Sequence, residues 1–346
     1  MKRALAFSLL PFALILAIGP VGCSDDDDNK DPITPPVIDE FELATSLGDT
    51  YFTNYTTPSG APVNVSALTV YENLFVDGDT SNDPYILDWR SADAFNNAGH
   101  IEGAIRADIT DFENVLNAIP AGKTVLNVCY TGQTASHVTA YMNMLGIEAQ
   151  NLLLGMCGWT ADTEVNLNKW GAAISNDLAS WLETVTNTPS QVYDFPALDT
   201  GKTTAVEILR EAAIDNLVAN QFKTISVANL YNEMVTDPDK YFIVNYFTDT
   251  PYDAGHIPGA YQFVPKQSLG REQMLKYLPT DKTIVVYCYT GQTSSQVVAY
   301  LNALGYDARS LLYGVNAICH EDDVICPSPG PRYVDATQNY PVVTTP

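Results

Sequence analysis

Six residues, Cys129-Tyr130-Thr131-Gly132-Gln133-Thr134, recur letter for letter as Cys288-Tyr289-Thr290-Gly291-Gln292-Thr293, an offset of 159 residues (288 less 129). The match is co-linear over a longer stretch. Upstream, Ala98-Gly99-His100-Ile101 with Gly103-Ala104 returns as Ala254-Gly255-His256-Ile257 with Gly259-Ala260. Downstream, Leu152-Leu153 and Gly155 return as Leu311-Leu312 and Gly314. A period of this size describes two whole domains, not short stacked units.

Within each copy the pattern is α/β. The apolar runs 85–87, 124–128 and 151–154, with 242–244, 283–287 and 310–313 in the second copy, are bounded by turn residues and read as buried strands. A helical segment follows each hexapeptide, 135–145 and 294–304, and stops at Gly146 or Gly305. In the first, Val138, Tyr141, Met142 and Leu145 mark one apolar face. Further helices are expected over 42–55 and 205–219. Each hexapeptide thus sits at a strand's C-terminal edge and opens a helix, the place where parallel α/β sheets bind ligands.

A cysteine there has a chemical meaning. Successive N–H groups of the loop curl toward one centre, and the helix N-terminus adds partial positive charge. Both favour thiolate, so the Cys129 and Cys288 pKa values are expected to fall. Gly132 and Gly291 supply the positive φ that closes the loop. The same cradle suits a persulfide, with Thr131, Thr134, Thr290 and Thr293 offering hydroxyls.

C-x-x-G-x-T after a strand, with G-H-I-x-G-A upstream, resembles the rhodanese (sulfurtransferase) family. The first copy is the fuller match: Leu87-Asp88-Trp89-Arg90 is similar to the family's Asp-x-Arg strand end, and Phe95 holds the aromatic position. The second copy has Asn245 and Phe247 where Asp and Arg are expected. The resemblance covers roughly 65–160 and 225–318. It implies two tandem rhodanese-like domains, each a mainly parallel sheet flanked by helices on both faces, set out as 40–186 and 203–318 with a linker at 187–202 and a tail at 319–346. It also implies that Cys129 and Cys288 accept a sulfane sulfur and pass it to a thiol. Tyr130, Thr131, Gly132, Gln133 and Thr134, and Tyr289, Thr290, Gly291, Gln292 and Thr293, would then form the substrate-binding loops. The competing reading is a catalytically silent rhodanese-like module docking a redox partner on the cell envelope. Phosphatase chemistry on this fold needs a longer loop closing on Arg, which neither copy has.

Charge narrows the partners. With 17 Lys+Arg against 41 Asp+Glu the net charge is −24, which excludes nucleic-acid binding through phosphates. Neither loop carries Arg or Lys, so no side-chain cation is expected to hold a dianion. A persulfide or polysulfide donor is favoured; thiosulfate and mercaptopyruvate stay open. Lys2-Arg3 followed by an apolar run over 4–18 is the layout of an export signal, 1–22. Gly22-Cys23 after it resembles a bacterial lipoprotein cleavage site, although Pro20 stands where such sites carry an aliphatic residue. Cys23 is accordingly expected to be lipidated, holding an exported chain to a membrane of the cell envelope through an acidic, Pro-rich spacer at 23–39.

In an oxidising compartment Cys319 and Cys326 are expected to form a local disulfide. Cys157 is a small buried hydrophobe or a resolving thiol for Cys129. His100 and His256 read as structural hydrogen-bonding residues. His137 has Gln296 as its counterpart and reads as incidental, and His320 stands alone in the acidic tail. Four scattered histidines give no metal cluster, and no bound organic cofactor is expected.

Overall fold

Two five-stranded sheets, parallel throughout, account for both copies of the repeat. The structure is a computed structural model that describes residues 38–220, 222–328, 332–333 and 338–345. The export signal, Cys23 and nearly all of the spacer lie outside the described residues.

The first half runs α1 (Glu40–Asn54), β1 (Asn64–Val65), α2 (Ala67–Phe75), β2 (Tyr85–Asp88), β3 (Ile105–Arg106), α3 (Phe112–Ala118), β4 (Val125–Val128), α4 (Gln133–Met144), β5 (Ala149–Leu152), α5 (Met156–Trp159) and α6 (Thr163–Asn166). The second runs α7 (Ala205–Asn220), β6 (Thr224–Ile225), α8 (Val227–Thr236), β7 (Tyr241–Asn245), α9 (Asp249–Ala254), β8 (Tyr261–Gln262), β9 (Thr283–Tyr287), α10 (Gln292–Ala303) and β10 (Ala308–Leu311). Strand order is β1-β5-β4-β2-β3 and, in the same pattern, β6-β10-β9-β7-β8. The central strands β4 and β9 are buried along nearly their whole length and end just before Cys129 and Cys288.

Two expectations shift. The strands expected over 151–154 and 310–313 begin and end two residues earlier; Leu154 and Tyr313 take left-handed backbone (φ 63° and 64°) and lie outside the ladder. The helix after each loop is buried on all sides, not on one apolar face. The cause is tertiary, since α4 and α10 pack against each other between the sheets and leave neither helix a solvent side.

The halves are woven together. α1 buries Phe41, Ala44, Thr45, Gly48, Tyr51 and Phe52 along one face and lays it partly on α10 of the other half. Gly48 makes room for the Tyr300 ring, which a Cβ there would overlap at 1.9 Å. Glu183, beyond the first sheet, pairs in both directions with His256 (2.8 and 2.9 Å). Val343, beyond the second, pairs in both directions with His100 (2.9 Å each). Tyr340 stacks on Tyr71 (4.1 Å) and Trp159 Nε1 donates to Pro341 O (2.9 Å). The end of the segment set out as a tail therefore lies on the first half.

Candidate active site

Cys129 is the first residue past β4. Gly132 adopts φ 78° and α4 opens at Gln133, so the chain wraps the sulfur. Ala135 N donates to Cys129 Sγ (3.4 Å), and the N–H groups of Thr131, Gly132 and Thr134 also act on it. The expected ring of main-chain amides is present. Its effect on acidity is not the expected one: burial pushes the Cys129 thiol up from its ordinary value and outweighs the four N–H groups that pull it down. Cys129 is only 4% exposed.

That small exposure opens on a cavity of about 280 Å³. Trp89, Arg90, Thr134, His137 and Lys169 wall it from the first half, and Phe222, Ser295, Leu312 and Tyr313 from the second. The expectation of a site without side-chain cations is overturned, because residues remote in sequence supply two. Arg90 Cζ and Lys169 Nζ lie 5.4 and 5.5 Å from the centre of the Tyr130 ring. Arg90 is fully buried and paired with Asp88 (2.6 Å), and its remaining N–H groups donate to Gly99 O (2.7 Å) and Val165 O (3.2 Å). Its charge is matched locally. Lys169 is exposed, and among the described residues no carboxylate lies within ion-pair distance of it.

Cys288 sits in the same loop with Gly291 at φ 76°. Ser294 N donates to its Sγ (3.3 Å), and the thiol reaches Ser294 Oγ (3.5 Å). Its surroundings differ. Tyr55, the residue that ends α1, donates through its hydroxyl to Thr293 Oγ1 (3.3 Å) and accepts from Asn64 Nδ2 (3.1 Å). Burial, reinforced by the nearby Cys288 charge, pushes the Tyr55 hydroxyl up to about 12. Tyr289 stacks on Phe247 (4.4 Å) where Tyr130 faces Arg90. Asn245 Nδ2 donates to Tyr287 Oη (2.7 Å), which also accepts from Ile257 N (3.0 Å). A neutral set thus replaces the buried ion pair of the first half. Cys288 is not among the residues that line the Cys129 cavity.

The two loop glutamines face each other's halves. Gln133 Oε1 accepts from Tyr313 N (2.8 Å), while Gln292 Oε1 accepts from Leu154 N (3.2 Å) and Asn151 Nδ2 (3.0 Å). They close against the opposite glycine: a Cβ on Gly132 would lie 2.4 Å from Gln292 Oε1, and one on Gly291 2.3 Å from Gln133 Oε1. These side chains join the halves, a role the sequence reading did not give them. Thr131 also has a structural duty, its carbonyl accepting from Trp170 Nε1 (3.3 Å) and its hydroxyl from Gln133 Nε2 (3.1 Å). Thr290 Oγ1 accepts from Gln292 N (3.4 Å). Thr134 faces the Cys129 cavity.

The other singled-out residues fall as follows. His100 and His256 each bond a carbonyl through Nδ1 (Phe95 O and Tyr252 O, both 2.8 Å) and stack on the same residue's ring, a structural role for both. His320 Nε2 meets Tyr333 O (2.6 Å). His137 is buried in the cavity wall beside Phe222 (5.5 Å), and burial with the Lys223 charge pushes its pKa down to about 3. Cys319 and Cys326 are free, buried thiols in this structure, not a disulfide; burial first, then the neighbouring Cys326 charge, pushes Cys319 up to about 12. Cys157 is buried, its Sγ directed at Asn166 O (3.5 Å), and Asn316 holds the matching position in the other half.

The model of the rhodanese-like domain family matches residues 70–162 and 228–321, more than half of the chain. No curated protein matches it. Among solved structures, a rhodanese-like domain protein from Staphylococcus aureus is similar at 22% identity, with 28% of this chain and 89% of that one covered and a TM-score of 0.25. A rhodanese-related protein from Thermoplasma volcanium is similar at 19% identity (28% and 88% covered, TM-score 0.24). A thiosulfate sulfurtransferase from Pseudomonas aeruginosa is similar at 18% identity, over 78% of this chain and 46% of that one, with a TM-score of 0.28.

Proposed function

Since the chain belongs to the rhodanese family, as a tandem of two rhodanese-like domains, we propose that it is a sulfurtransferase turning over at Cys129. One observation carries this reading: Cys129 lines a cavity of about 280 Å³, and four main-chain N–H groups act on its sulfur. The Cys129 thiolate attacks the outer sulfur of a donor persulfide, R–S–S–H. A new S–S bond forms on the protein, the donor's S–S bond breaks, and R–S⁻ leaves. An acceptor thiolate then attacks the outer sulfur of the Cys129 persulfide and releases the Cys129 thiolate. Sulfur moves with no net oxidation, so no metal or organic cofactor is invoked.

We favour a persulfide or polysulfide donor. Arg90 is neutralised by Asp88, and the net charge of −24 opposes capture of a dianion such as thiosulfate. Mercaptopyruvate, a monoanion, is tested beside them. Cys288 carries the same loop and is proposed as a slower sulfur acceptor, closed by Tyr55. On the evidence of residues 1–36 we also propose export and lipid anchoring at Cys23 in the bacterial cell envelope. The test is intact-protein and peptide mass spectrometry after donor treatment: Cys129 gains one sulfur, removed again by an acceptor thiol. Absence of that gain with polysulfide, thiosulfate and mercaptopyruvate alike sinks the reading.

A further inference from the structure

Lys169 stands outside both segments matched by the family model, yet it lines the cavity of Cys129. Its placement is specific. α6 ends at Asn166, and the next two residues, Leu167 and Asn168, both take left-handed backbone (φ 55° and 45°). Asparagine tolerates that region; leucine seldom occupies it. The doubled turn is held by Asn166, whose Oδ1 accepts from Asn168 N (2.6 Å) and whose Nδ2 donates to Thr160 O (2.7 Å). Beyond it, Trp170 is fully buried and its Nε1 donates to Thr131 O inside the cysteine loop (3.3 Å). Lys169 is thus fixed between a strained turn and an anchor on the reactive loop, and its ammonium rests 5.5 Å from the Tyr130 ring. Unusual backbone kept at the edge of a reactive site is a sign of a positioning task.

The charge pattern gives that task. Sulfur and cation stand at opposite depths: Cys129 is buried on the floor, Lys169 is exposed at the mouth. Apart from Arg90 and His137 the rest of the lining is uncharged, with Trp89, Phe222, Leu312 and Tyr313 beside hydroxyls such as Thr134 and Ser295. His137, which also lines the cavity, is neutral above a pKa of about 3, and Arg90 is matched by Asp88. A cavity of about 280 Å³ holds several carbon atoms besides a sulfur.

We propose that Lys169 is a specificity-determining residue that holds a carboxylate, or an equivalent anion, at the outer end of a small organic sulfur carrier whose reactive sulfur reaches Cys129. The inference rests on the sulfur-transfer reading only for the nature of the cargo. The cavity's charge preference can be measured without any sulfur transfer.

The experiment compares two alkylating reagents of nearly equal size, anionic iodoacetate and neutral iodoacetamide, on the full chain, with labelling read peptide by peptide. The quantity is the ratio of the two rates at Cys129, and Cys288 in the same tube is the internal reference. Against wild type, Lys169→Gln is expected to lower the ratio about fivefold and Lys169→Glu about tenfold or more, with Lys169→Arg near wild type and the Cys288 ratio unmoved; these sizes correspond to one exposed charge interaction at the upper end of its range, and to its reversal. Molar salt is expected to shrink the difference, since screening then acts within about 3 Å. A ratio unchanged in both Lys169→Gln and Lys169→Glu overturns the proposal. So does a Cys129 that neither reagent labels, because the cavity then admits no small organic molecule. If the ratio falls as expected while no donor leaves sulfur on Cys129, the sulfur-transfer reading fails and the anion-selective cavity stands.

Discussion

The Cys129 and Cys288 loops have the same six residues and nearly the same backbone, with Gly132 at φ 78° and Gly291 at φ 76°. What surrounds them differs at almost every point. Arg90 faces Tyr130 in one half where Phe247 stacks on Tyr289 in the other. Cys157 answers to Asn316, and His137 to Gln296. A residue just past the N-terminal helix of each half reaches toward the opposite loop: Phe222 forms a wall beside Cys129, while Tyr55 bonds to Thr293 beside Cys288. A phenyl ring cannot make that bond, and Thr134 lines the cavity. The loop supplies the cradle for sulfur; access is decided by walls borrowed from elsewhere.

The contrast breaks most sharply at the sulfur. Cys129→Ser is expected to lower the rate of sulfur transfer at least about a thousandfold, the usual scale for losing a nucleophile. Cys288→Ser is expected to change it by less than about threefold. Steady-state assays of both variants check this, and a Cys288→Ser variant as dead as Cys129→Ser would end the asymmetry. Acid comes next. His137 is neutral in the fold down to about pH 3, whereas an unfolded histidine protonates near pH 6.5. The unfolded chain therefore binds the extra proton, and stability falls as pH drops through that window. Replacing His137 by the residue of the other half, His137→Gln, is expected to recover on the order of 3 kcal/mol at pH 4 relative to pH 8, read from denaturant unfolding at both.

The crossed glutamines give a smaller effect. Gln133→Ala is expected to cost about 2 kcal/mol, because Tyr313 N loses its buried acceptor. Gln292→Ala is expected to cost less, since Gln292 Nε2 is already buried without a partner. Equal losses in urea titrations would show that the two contacts are interchangeable. Smallest is the gate: Tyr55→Phe removes the bond to Thr293 and is expected to speed alkylation of Cys288 about tenfold, the equivalent of one hydrogen bond, with Cys129 unaffected. At Cys129 itself labelling should keep climbing above the pH at which an ordinary thiol levels off, because burial raises its pKa.

Features set by neighbours along the chain could be read in advance. The strands ending just before Cys129 and Cys288, the turns at Gly132 and Gly291, and the helices beyond them are local consequences of apolar runs and glycine. Features set by distant partners could not. Lys169 is 40 residues past Cys129, and the left-handed pair Leu167–Asn168 together with the Trp170 anchor on Thr131 places it at the cavity. The direction of the Cys129 shift is likewise not local: the amide ring follows from the motif, but the burial that overcomes it arises only when the loop is packed in the folded chain. The short edge strands β1, β3, β6 and β8 have two residues each and leave no periodicity to detect. Tyr55 and Phe222 did carry a signal, since each closely follows the first helix of its half, but nothing in that position told where the helix would pack.

The pairing of Glu183 with His256 and of Val343 with His100 sets how this chain can come apart. Cutting at residues 187–202 would separate two polypeptides that each hold a piece of the other, much as two hands with interlaced fingers do not part at the wrists. The turn that bears His100 cannot find its strand partner until Val343 has been made and has arrived, so assembly waits on a contact of long sequence separation, the slow kind. In evolution a duplication that ends in such an embrace is hard to undo: losing one copy would leave the survivor with an exposed edge and an unroofed cysteine. That gives a physical reason for a chain to keep a second half that need not turn over.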